Sequence, residues 1–510
     1  MKKKLNFQLG RTTLACLLSA CLLAGCVSLG PLPDKSMPVQ GDWTRRGSVE
    51  NAPGTDPATW WAAFNDPVLD TLVAQTLAQN LSIKQSLYRL QAARALLLPA
   101  LAQGRPQINA GVTARREQRL SGNGNLGAEA GEQRGGNTNS ADNISLLRAE
   151  PRASGYYQMG FDAAWEMDLF GRVAASGEAA RSAAGVALAD ARIARVSVVA
   201  EVVRTYIELR GAQRRHVLLT ENAHDQEHMV AMVLERQKSG IASDFENDRL
   251  VAGAAEMMAQ LQLLEQFVRQ AAQRIAILTG QAASDERLPD VMPQPMAERL
   301  TLRLLPADVV RVRPEIQRAE HAVTQAGAEL GIAVADMYPR LTLVGDLLAS
   351  SNWIGTPLPG RSTNASLAMS VNIPLLDWGA RRGVVNAREA ALAEAIAGYQ
   401  EAVLEGIEET ENALTAIETG RRRAVQDARR LEAAQRSKAN AQLLYERGVV
   451  NMTELLDATI ALRQAQMSSA ELTEQRALAV VALHKAVGGA SLDPAHRMDT
   501  RARTRAPDAS

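Results

Sequence analysis

Two segments of the chain alternate between apolar and polar residues, the pattern of a β-strand with one apolar face. The first segment, YQMGFDAAWEMDL, covers residues 157–169, and the second, SLAMSVNIPL, covers residues 366–375. Shorter alternating runs that begin at Ile108 and Leu341 predict a partner strand for each segment. The sequence therefore predicts two β-hairpins, whose strands are roughly the 9–11 residues that a tilted strand needs to cross a membrane.

Proline is absent from two very long stretches, residues 152–288 and 375–493. Because proline breaks helices, stretches of this length without it predict very long helices. The first stretch predicts a helix over 172–239, about 100 Å long at 1.5 Å per residue. A second helix returns over 243–279. Shorter helices are predicted ahead of the two hairpins, near residues 66–98 and 306–337.

The two halves of the chain share one spacing of glycine residues. Three glycines of the first half each have a counterpart in the second half whose sequence number is higher by 208; the pairs are Gly171 and Gly379, Gly240 and Gly448, and Gly280 and Gly488. Pro106 and Pro339 correspond at an offset of 339 − 106 = 233. The first half is thus longer by 233 − 208 = 25, and we assign this extra length to a Gly- and Asn-rich loop. The shared spacing predicts an internal two-fold sequence repeat.

Four strands per chain are too few to close a barrel, since the smallest membrane barrels have about eight. In lipid every backbone group must be paired, so other copies of the chain must complete the barrel. Two copies give eight strands filled by side chains, and three copies give twelve strands around a pore. A polar strand face with Asp162 and Glu166 suits a watery lumen. The predicted fold is mainly α with β: a trimeric 12-stranded transmembrane β-barrel continued by a long α-helical barrel.

The amino terminus has the pattern of a signal peptide, with a positive segment before the short apolar run TTLACLLSACLLAG. It ends in Leu23-Ala24-Gly25-Cys26, which resembles a bacterial lipobox. This resemblance implies lipidation of Cys26, palmitate included, and Val27 permits transfer to the outer membrane. The alternative is an ordinary signal peptide with a chance cysteine.

Composition excludes several functions. Lys plus Arg and Asp plus Glu are both 56 among 510 residues, so the chain lacks the basic excess of a nucleic-acid binder. All three cysteines lie in or at the end of the expected signal peptide, which leaves no disulfide framework and no thiol nucleophile. The mature chain has no Ser-His-Asp signature, phosphate loop or CxxC. We therefore expect no enzyme activity and no cofactor.

Two motifs are weak. GNGNLG, from Gly122 to Gly127, matches the dinucleotide pattern GxGxxG but lacks the following helix, and is interpreted as loop. His224 and His228 share a helix face and could hold a metal, but no third ligand is evident. We interpret them as an exposed pair and expect no metal site.

Six segments resemble the outer-membrane efflux protein family, the TolC-like and OprM-like trimeric channels, and most of all its lipoprotein branch in RND-type tripartite systems. They are WWAAFNDPVLDTLVAQTLAQN, AWEMDLFGR, VRPEIQRAE, MYPRLTL, NIPLLDWGARR and YERGVVNMTELLDA. The resemblance implies a homotrimer whose helical barrel extends into the periplasm. It also implies a periplasmic adaptor (membrane fusion protein) and an inner-membrane pump as partners, with no nucleic acid.

The resemblance also implies a periplasmic gate. Gly240 and Gly448 would be the helical-hairpin tips that contact the adaptor. Glu454, Asp457 and Glu246 would form acidic rings, and Tyr445 would latch the tip. The family usually has aspartates in the rings, so Glu246 and Glu454 depart from it in length. The alternative is a solvated acidic face.

The expected function is a passive exit channel for drugs or other small toxic molecules, lipid-anchored in the outer membrane. Type I protein secretion, metal-ion efflux and a non-conducting structural lipoprotein are the alternatives. The predicted domains are the signal peptide (1–25), an equatorial lipid-anchored segment (26–65), a first repeat (66–280) with its hairpin at about 105–169, an equatorial linker (281–305), a second repeat (306–488) with its hairpin at about 339–375, and a C-terminal tail (489–510).

Overall fold

The structure is a computed structural model that describes residues 57–118, 153–240, 243–283, 293–297, 312–351 and 363–488. The expected signal peptide over 1–25, Cys26, the segment from Gly122 to Gly127 and the tail over 489–510 lie outside the described residues. The contacts divide the chain into a unit that contains the sheet and a unit of helices, and each is described by itself.

A short 3₁₀ helix, seven α-helices and four strands are found among the described residues. The 3₁₀ helix spans Pro57–Phe64. The α-helices are α1 (Pro67–Gln79), α2 (Leu81–Ala102), α3 (Arg172–Lys238), α4 (Asp244–Leu278), α5 (Pro314–Ala335), α6 (Ala380–Glu446) and α7 (Met452–Ala486). The strands are β1 (Gln107–Gln118), β2 (Ala153–Met167), β3 (Arg340–Ser351) and β4 (Thr363–Asn372). The chain is thus mainly α-helical with one small sheet.

The four strands form one antiparallel sheet in the order β1-β2-β3-β4. Its register places Asn109 opposite Asp162, Asp162 opposite Asp346, and Asp346 opposite Ser366. These four side chains therefore form one polar row across all four strands. The Asn109 amide donates to the Asp162 carboxylate at 3.0 Å, and the Ser366 hydroxyl donates to the Asp346 carboxylate.

The opposite face of the sheet is apolar. Ile108, Phe161 and Leu367 are 69%, 55% and 76% exposed, and Val112, Met369 and Val371 are exposed on the same face. Their positions follow the period-two alternation along each strand. The sheet thus has one polar and one apolar face, as the sequence pattern predicts.

The helical unit packs around one main apolar core. Its buried side chains come from the 3₁₀ helix, α1, α3, α4 and α7, with Trp60, Val203 and Tyr206 among the most deeply buried. The Trp60 ring stacks on His484 of α7 with 5.0 Å between the ring centroids. These contacts hold the segment before α1 against the long helices.

One predicted helix is wrong. The segment near 66–98 was expected to be continuous, but the structure breaks it at Asn80 into α1 and α2. The Asn80 carboxamide oxygen accepts from the backbone N–H of Ile83 at 3.1 Å. Its nitrogen donates to the carbonyl of Leu278 at 2.8 Å, at the end of α4. Asn80 therefore caps the start of α2, because it can satisfy backbone groups that a helix end leaves free.

Corresponding elements of the two halves have equal lengths. Helices α3 and α6 both have 67 residues, and α4 and α7 both have 35. The sequence numbers of their first residues differ by 380 − 172 = 208 and by 452 − 244 = 208. Strands β1 and β3 both have 12 residues, and the numbers of their first residues differ by 340 − 107 = 233.

Candidate functional site

The two long helical hairpins turn at glycines in the left-handed region. Gly240 follows α3 with φ +73°, and Gly448 follows α6 with φ +74°. At the second turn the N–H of Val449 donates to the carbonyl of Leu444, and the N–H of Gly448 donates to the carbonyl of Tyr445, both at 2.9 Å. This pair of bonds closes a helix end in a Schellman motif, which favours glycine because L side chains are strained there.

The returning helices begin with matched caps. The Ser243 hydroxyl accepts from the N–H of Glu246 at 3.3 Å, and the Asn451 carboxamide accepts from the N–H of Glu454 at 3.0 Å. Glu246 and Glu454 thus occupy the third position of α4 and α7, where a carboxylate also interacts favourably with the helix dipole. Glu454 is exposed and Glu246 half-buried.

Below the turns, the four helices share a small apolar cluster. Its buried members come from α3, α4 and α7, and Tyr445 of α6 packs against them. They are Met229, Val233, Leu250, Met452, Leu455 and Leu456. Removal of this apolar surface from water stabilises the contact between the two hairpins of one chain.

Tyr445 also makes a polar contact between the hairpins. Its hydroxyl accepts a hydrogen bond from Arg236 Nη1 at 2.8 Å, and the Arg236 guanidinium carbon lies 6.0 Å from the ring centroid. A hydrogen bond to a charged donor is stronger than one between neutral groups. The structure therefore places this tyrosine where it ties the end of α6 to the end of α3.

Asp457 is paired with a cation. Arg249 Nη2 of α4 lies 2.9 Å from Asp457 Oδ1 of α7, and both side chains are largely exposed, at 42% and 59%. Glu454 lies three residues before Asp457, so the two carboxylates share one face of α7. The structure thus brings Tyr445 and Asp457 into contacts between hairpins.

Arg463, which the sequence analysis missed, lies below this level in the protein interior. Its Nη1 donates to the Gln226 side chain at 2.8 Å, and Gln226 donates to the Leu250 carbonyl at 3.1 Å. Nε and Nη2 of Arg463 are buried without a hydrogen-bond partner, and burial lowers the pKa of this arginine. A charge buried among α3, α4 and α7 has no sequence signal, because its partners are far apart in the chain.

A second polar network joins α1 to α3. The Tyr206 hydroxyl donates to Asp66 at 2.6 Å and accepts from Arg210 Nε at 3.0 Å. Asp66 also caps α1, since it accepts from the N–H groups of Val68 and Leu69. Burial, followed by the bond to Asp66, raises the pKa of Tyr206. The Asn-Asp-Pro sequence before α1 is a helix-start signal that could have identified this cap.

Metal ligands are not brought together in the described ranges. Among those residues, no group of three or more His, Cys, Asp or Glu side chains could hold a metal ion. His224 and His228 are both exposed and their Nε2 atoms are 3.0 Å apart.

In the part of the chain that the structure describes, none of the helices combines the length and the apolar character needed to cross a membrane.

Comparisons with known proteins define the class of this chain. The model of the family described as outer membrane efflux protein matches residues 72–281 and 305–489. The chain therefore belongs to the outer membrane efflux protein family, and it is an outer-membrane exit channel for efflux.

Individual relatives agree over most of the chain. Nodulation protein T of Rhizobium leguminosarum bv. trifolii is 27% identical over 455 residues, which cover 89% of this chain and 92% of the relative. Outer membrane protein OprJ of Pseudomonas aeruginosa is 27% identical over 462 residues, 89% of this chain and 90% of OprJ. The solved structure of the outer-membrane channel OprN is 26% identical with a TM-score of 0.79, covering 90% of this chain and 99% of that chain.

Proposed function

We propose that three copies of the chain assemble into a 12-stranded transmembrane β-barrel continued by a periplasmic α-helical barrel. The sheet supports this proposal, because β1 and β4 each have only one neighbour among the described strands. Backbone groups on such edges must be paired in a membrane, and the edges of neighbouring copies can pair them. The apolar face of the sheet would contact lipid, and the polar row would contact water.

The equal lengths of the repeated elements support an internal duplication. Four helices and two strands agree pairwise in length, and their offsets of 208 and 233 match those of the glycine and proline pairs. Two equivalent helical hairpins per chain give six around a three-fold axis.

The proposed function is passive conduction of drugs or other small toxic molecules through this channel. A channel supplies no energy, so export against a gradient requires an energised inner-membrane pump and a periplasmic adaptor that connects the two. The hairpin tips at Gly240 and Gly448 are the proposed adaptor contacts. Lipidation of Cys26 would anchor each copy to the outer membrane.

The proposed periplasmic gate consists of Tyr445, Glu454, Asp457 and Glu246. The observation that carries this proposal is the meeting of four helix ends at two polar ties, Arg236 to Tyr445 and Arg249 to Asp457. Side chains that tie one hairpin to the other control the width of the opening between them. Acidic groups near a pore axis also attract cations.

Conductance in planar bilayers tests the function. We expect the purified full-length protein to form ion-conducting channels that are mostly closed, because the ties are formed in the structure. A deletion strain should become sensitive to antibiotics or solvents and regain resistance with the wild-type gene. A protein of the correct oligomeric mass that conducts no ions would instead be the non-conducting structural lipoprotein.

A further inference from the structure

The two hairpins of one chain are buried to different extents. In α3, the side chains of Leu218, Leu219 and Val233 are 5%, 4% and 0% exposed. In α6, no residue from 421 to 446 is buried, although this segment matches 213–238 of α3 at the offset of 208. Similarly, α7 has eight buried residues between 452 and 472, whereas its counterpart span in α4, 244–264, has two, Leu250 and Leu261.

This asymmetry arises because α3 packs against α7 within one chain. Arg215 Nη1 of α3 lies 2.7 Å from Glu474 Oε2 of α7. A Cβ atom on Gly211 would lie 3.1 Å from Glu474 Cγ, so the two helices approach closely here. The equivalent helices α6 and α4 are left with uncovered faces.

Charge complements these uncovered faces. Residues 421–446 of α6 contain seven Arg or Lys and three Asp or Glu, a net charge of 7 − 3 = +4. Residues 244–270 of α4 contain five Asp or Glu and two Arg, a net charge of 2 − 5 = −3. Complementary charge favours contact between α6 of one copy and α4 of another.

We propose that α6 of one copy packs against α4 of a second copy in the register of the α3–α7 contact, and that this contact between copies is the one that separates when the entrance opens. This inference rests on the proposed trimeric channel. The register follows from the repeat: each α3 position moves to α6 by adding 208, and each α7 position moves to α4 by subtracting 208. The closest pair, 211 and 474, becomes Thr419 and Gln266 of the second copy.

The same shift shows why the contact between copies opens. At the tips, the apolar cluster within one chain includes Met229, Val233, Met452, Leu455 and Leu456. The shifted positions between copies are, in the same order, Ser437, Ala441, Asp244, Asn247 and Asp248. The contact within a chain is thus apolar and buried, whereas the contact between copies is polar. Exposed polar and ionic contacts contribute little stability and weaken with salt.

Asp457 and Arg249 occupy equivalent positions, since 457 − 208 = 249. The ion pair within one chain would therefore have the same pair as its counterpart between copies. Around a three-fold axis the two residues would alternate in sign at one level, and this level would carry no net charge. Glu246 and Glu454 are also equivalent, since 454 − 208 = 246, and their level would carry six carboxylates.

Disulfide trapping in the full-length chain tests the register. We expect Thr419→Cys combined with Gln266→Cys to give reducible dimers and trimers on denaturing gels, because equivalent Cβ atoms lie within disulfide reach. Thr419→Cys with Gln262→Cys, about one helical turn away, should give far less. Gly211→Cys with Glu474→Cys should cross-link within one chain and serves as the positive control.

The outcomes separate the two proposals. A protein of trimeric mass in which the within-chain control cross-links and the 419–266 pair does not would overturn the register. A monomeric mass in detergent, with the within-chain control intact, would overturn the proposed trimer and the interface together. Each single cysteine variant should give no ladder.

Restoring apolar residues at the tips tests which contact opens. Asn247→Leu with Asp248→Leu copies the Leu455–Leu456 pair of α7 onto α4, so we expect a several-fold lower conductance in planar bilayers. Asp248→Asn, which removes only the charge, should change conductance less. Unchanged or increased conductance in a double variant that still trimerises would contradict opening between copies.

Discussion

At the scale of single residues, the hairpin tips are held by a few side chains that reach between helices. Arg236 and Tyr445, like Arg249 and Asp457, come from different hairpins and meet at hydrogen-bond distance. Each pair contributes modestly to stability because it is partly or largely exposed. Ties of this strength can hold an entrance closed and still be broken by a docking partner.

Replacement of the two acids of α7 tests the gate. We expect Glu454→Ala with Asp457→Ala to raise single-channel conductance, because Arg249 loses its partner, and to weaken cation selectivity, because carboxylates near the axis are lost. Planar-bilayer recordings in asymmetric KCl measure both. Glu471→Ala, an exposed acid farther along α7, is the control. Unchanged selectivity in the double variant would rule out these acids as the gate.

His484 makes stability depend on pH. Its burial lowers its pKa from 6.5 to about 4, so the folded protein holds the neutral ring that stacks on Trp60. The unfolded chain binds the proton from pH 6.5 downward. The contribution of His484 is therefore complete above pH 6.5 and is lost progressively as the pH falls towards 4, by about 2–3 kcal/mol at pH 4.5.

We expect His484→Phe to flatten the loss of stability between pH 6.5 and 4.5, since phenylalanine keeps a ring against Trp60 without titrating. Urea unfolding of the detergent-solubilised protein at both pH values measures it. His224→Phe, at an exposed position, should retain the wild-type pH dependence. An equally steep loss in His484→Phe would assign the effect to other groups.

Single residues were only partly predictable from the sequence. Gly240, Gly448 and Tyr445 carry local or repeat-based signals, and the structure places them at the turns and between the hairpins. Arg463 and the Tyr206–Arg210 pair carry none, because their partners Gln226 and Asp66 are 237 and 140 residues away along the chain. Such contacts depend on which helices pack together, and that information is not local.

At the scale of elements, helix ends were the most predictable feature. The helices predicted over 172–239 and 243–279 are found at Arg172–Lys238 and Asp244–Leu278. Glycine after the last turn and Ser243 before the first supply the stop and start signals. The break at Asn80 was missed because its side chain bonds to the carbonyl of Leu278, 198 residues away.

The turn glycines are testable at this scale. An alanine at position 448 must adopt φ +74°, which costs about 1–2 kcal/mol, so we expect Gly448→Ala to loosen the turn. Trypsin cleavage after the neighbouring Arg447 should be about 5- to 30-fold faster, the factor that this energy gives for local opening. Gly398→Ala, in the interior of α6 with open space around it, should instead leave cleavage at Arg447 unchanged. Equal cleavage rates for both variants would show that the turn tolerates a side chain.

At the scale of the whole molecule, the number of copies determines whether a pore exists. The sheet contributes four strands, so two copies would give eight and three copies twelve. We expect mass measurement in detergent to give three chains per particle. A particle of only two chains would contradict the 12-stranded barrel while leaving the four-stranded sheet of each chain intact. The sequence predicts the strands by their alternation, whereas the copy number follows only from the need to close the barrel.

The row of Asn109, Asp162, Asp346 and Ser366 has one more consequence. Two carboxylates stand directly opposite each other on neighbouring strands, and transfer of either to hydrocarbon costs about 2.5–3.5 kcal/mol at the bilayer centre. A sheet inserted with this face outward would therefore be penalised once per carboxylate in every copy. The pair acts as an orientation marker: it determines which surface of the sheet becomes the inside before the strands of different copies have joined.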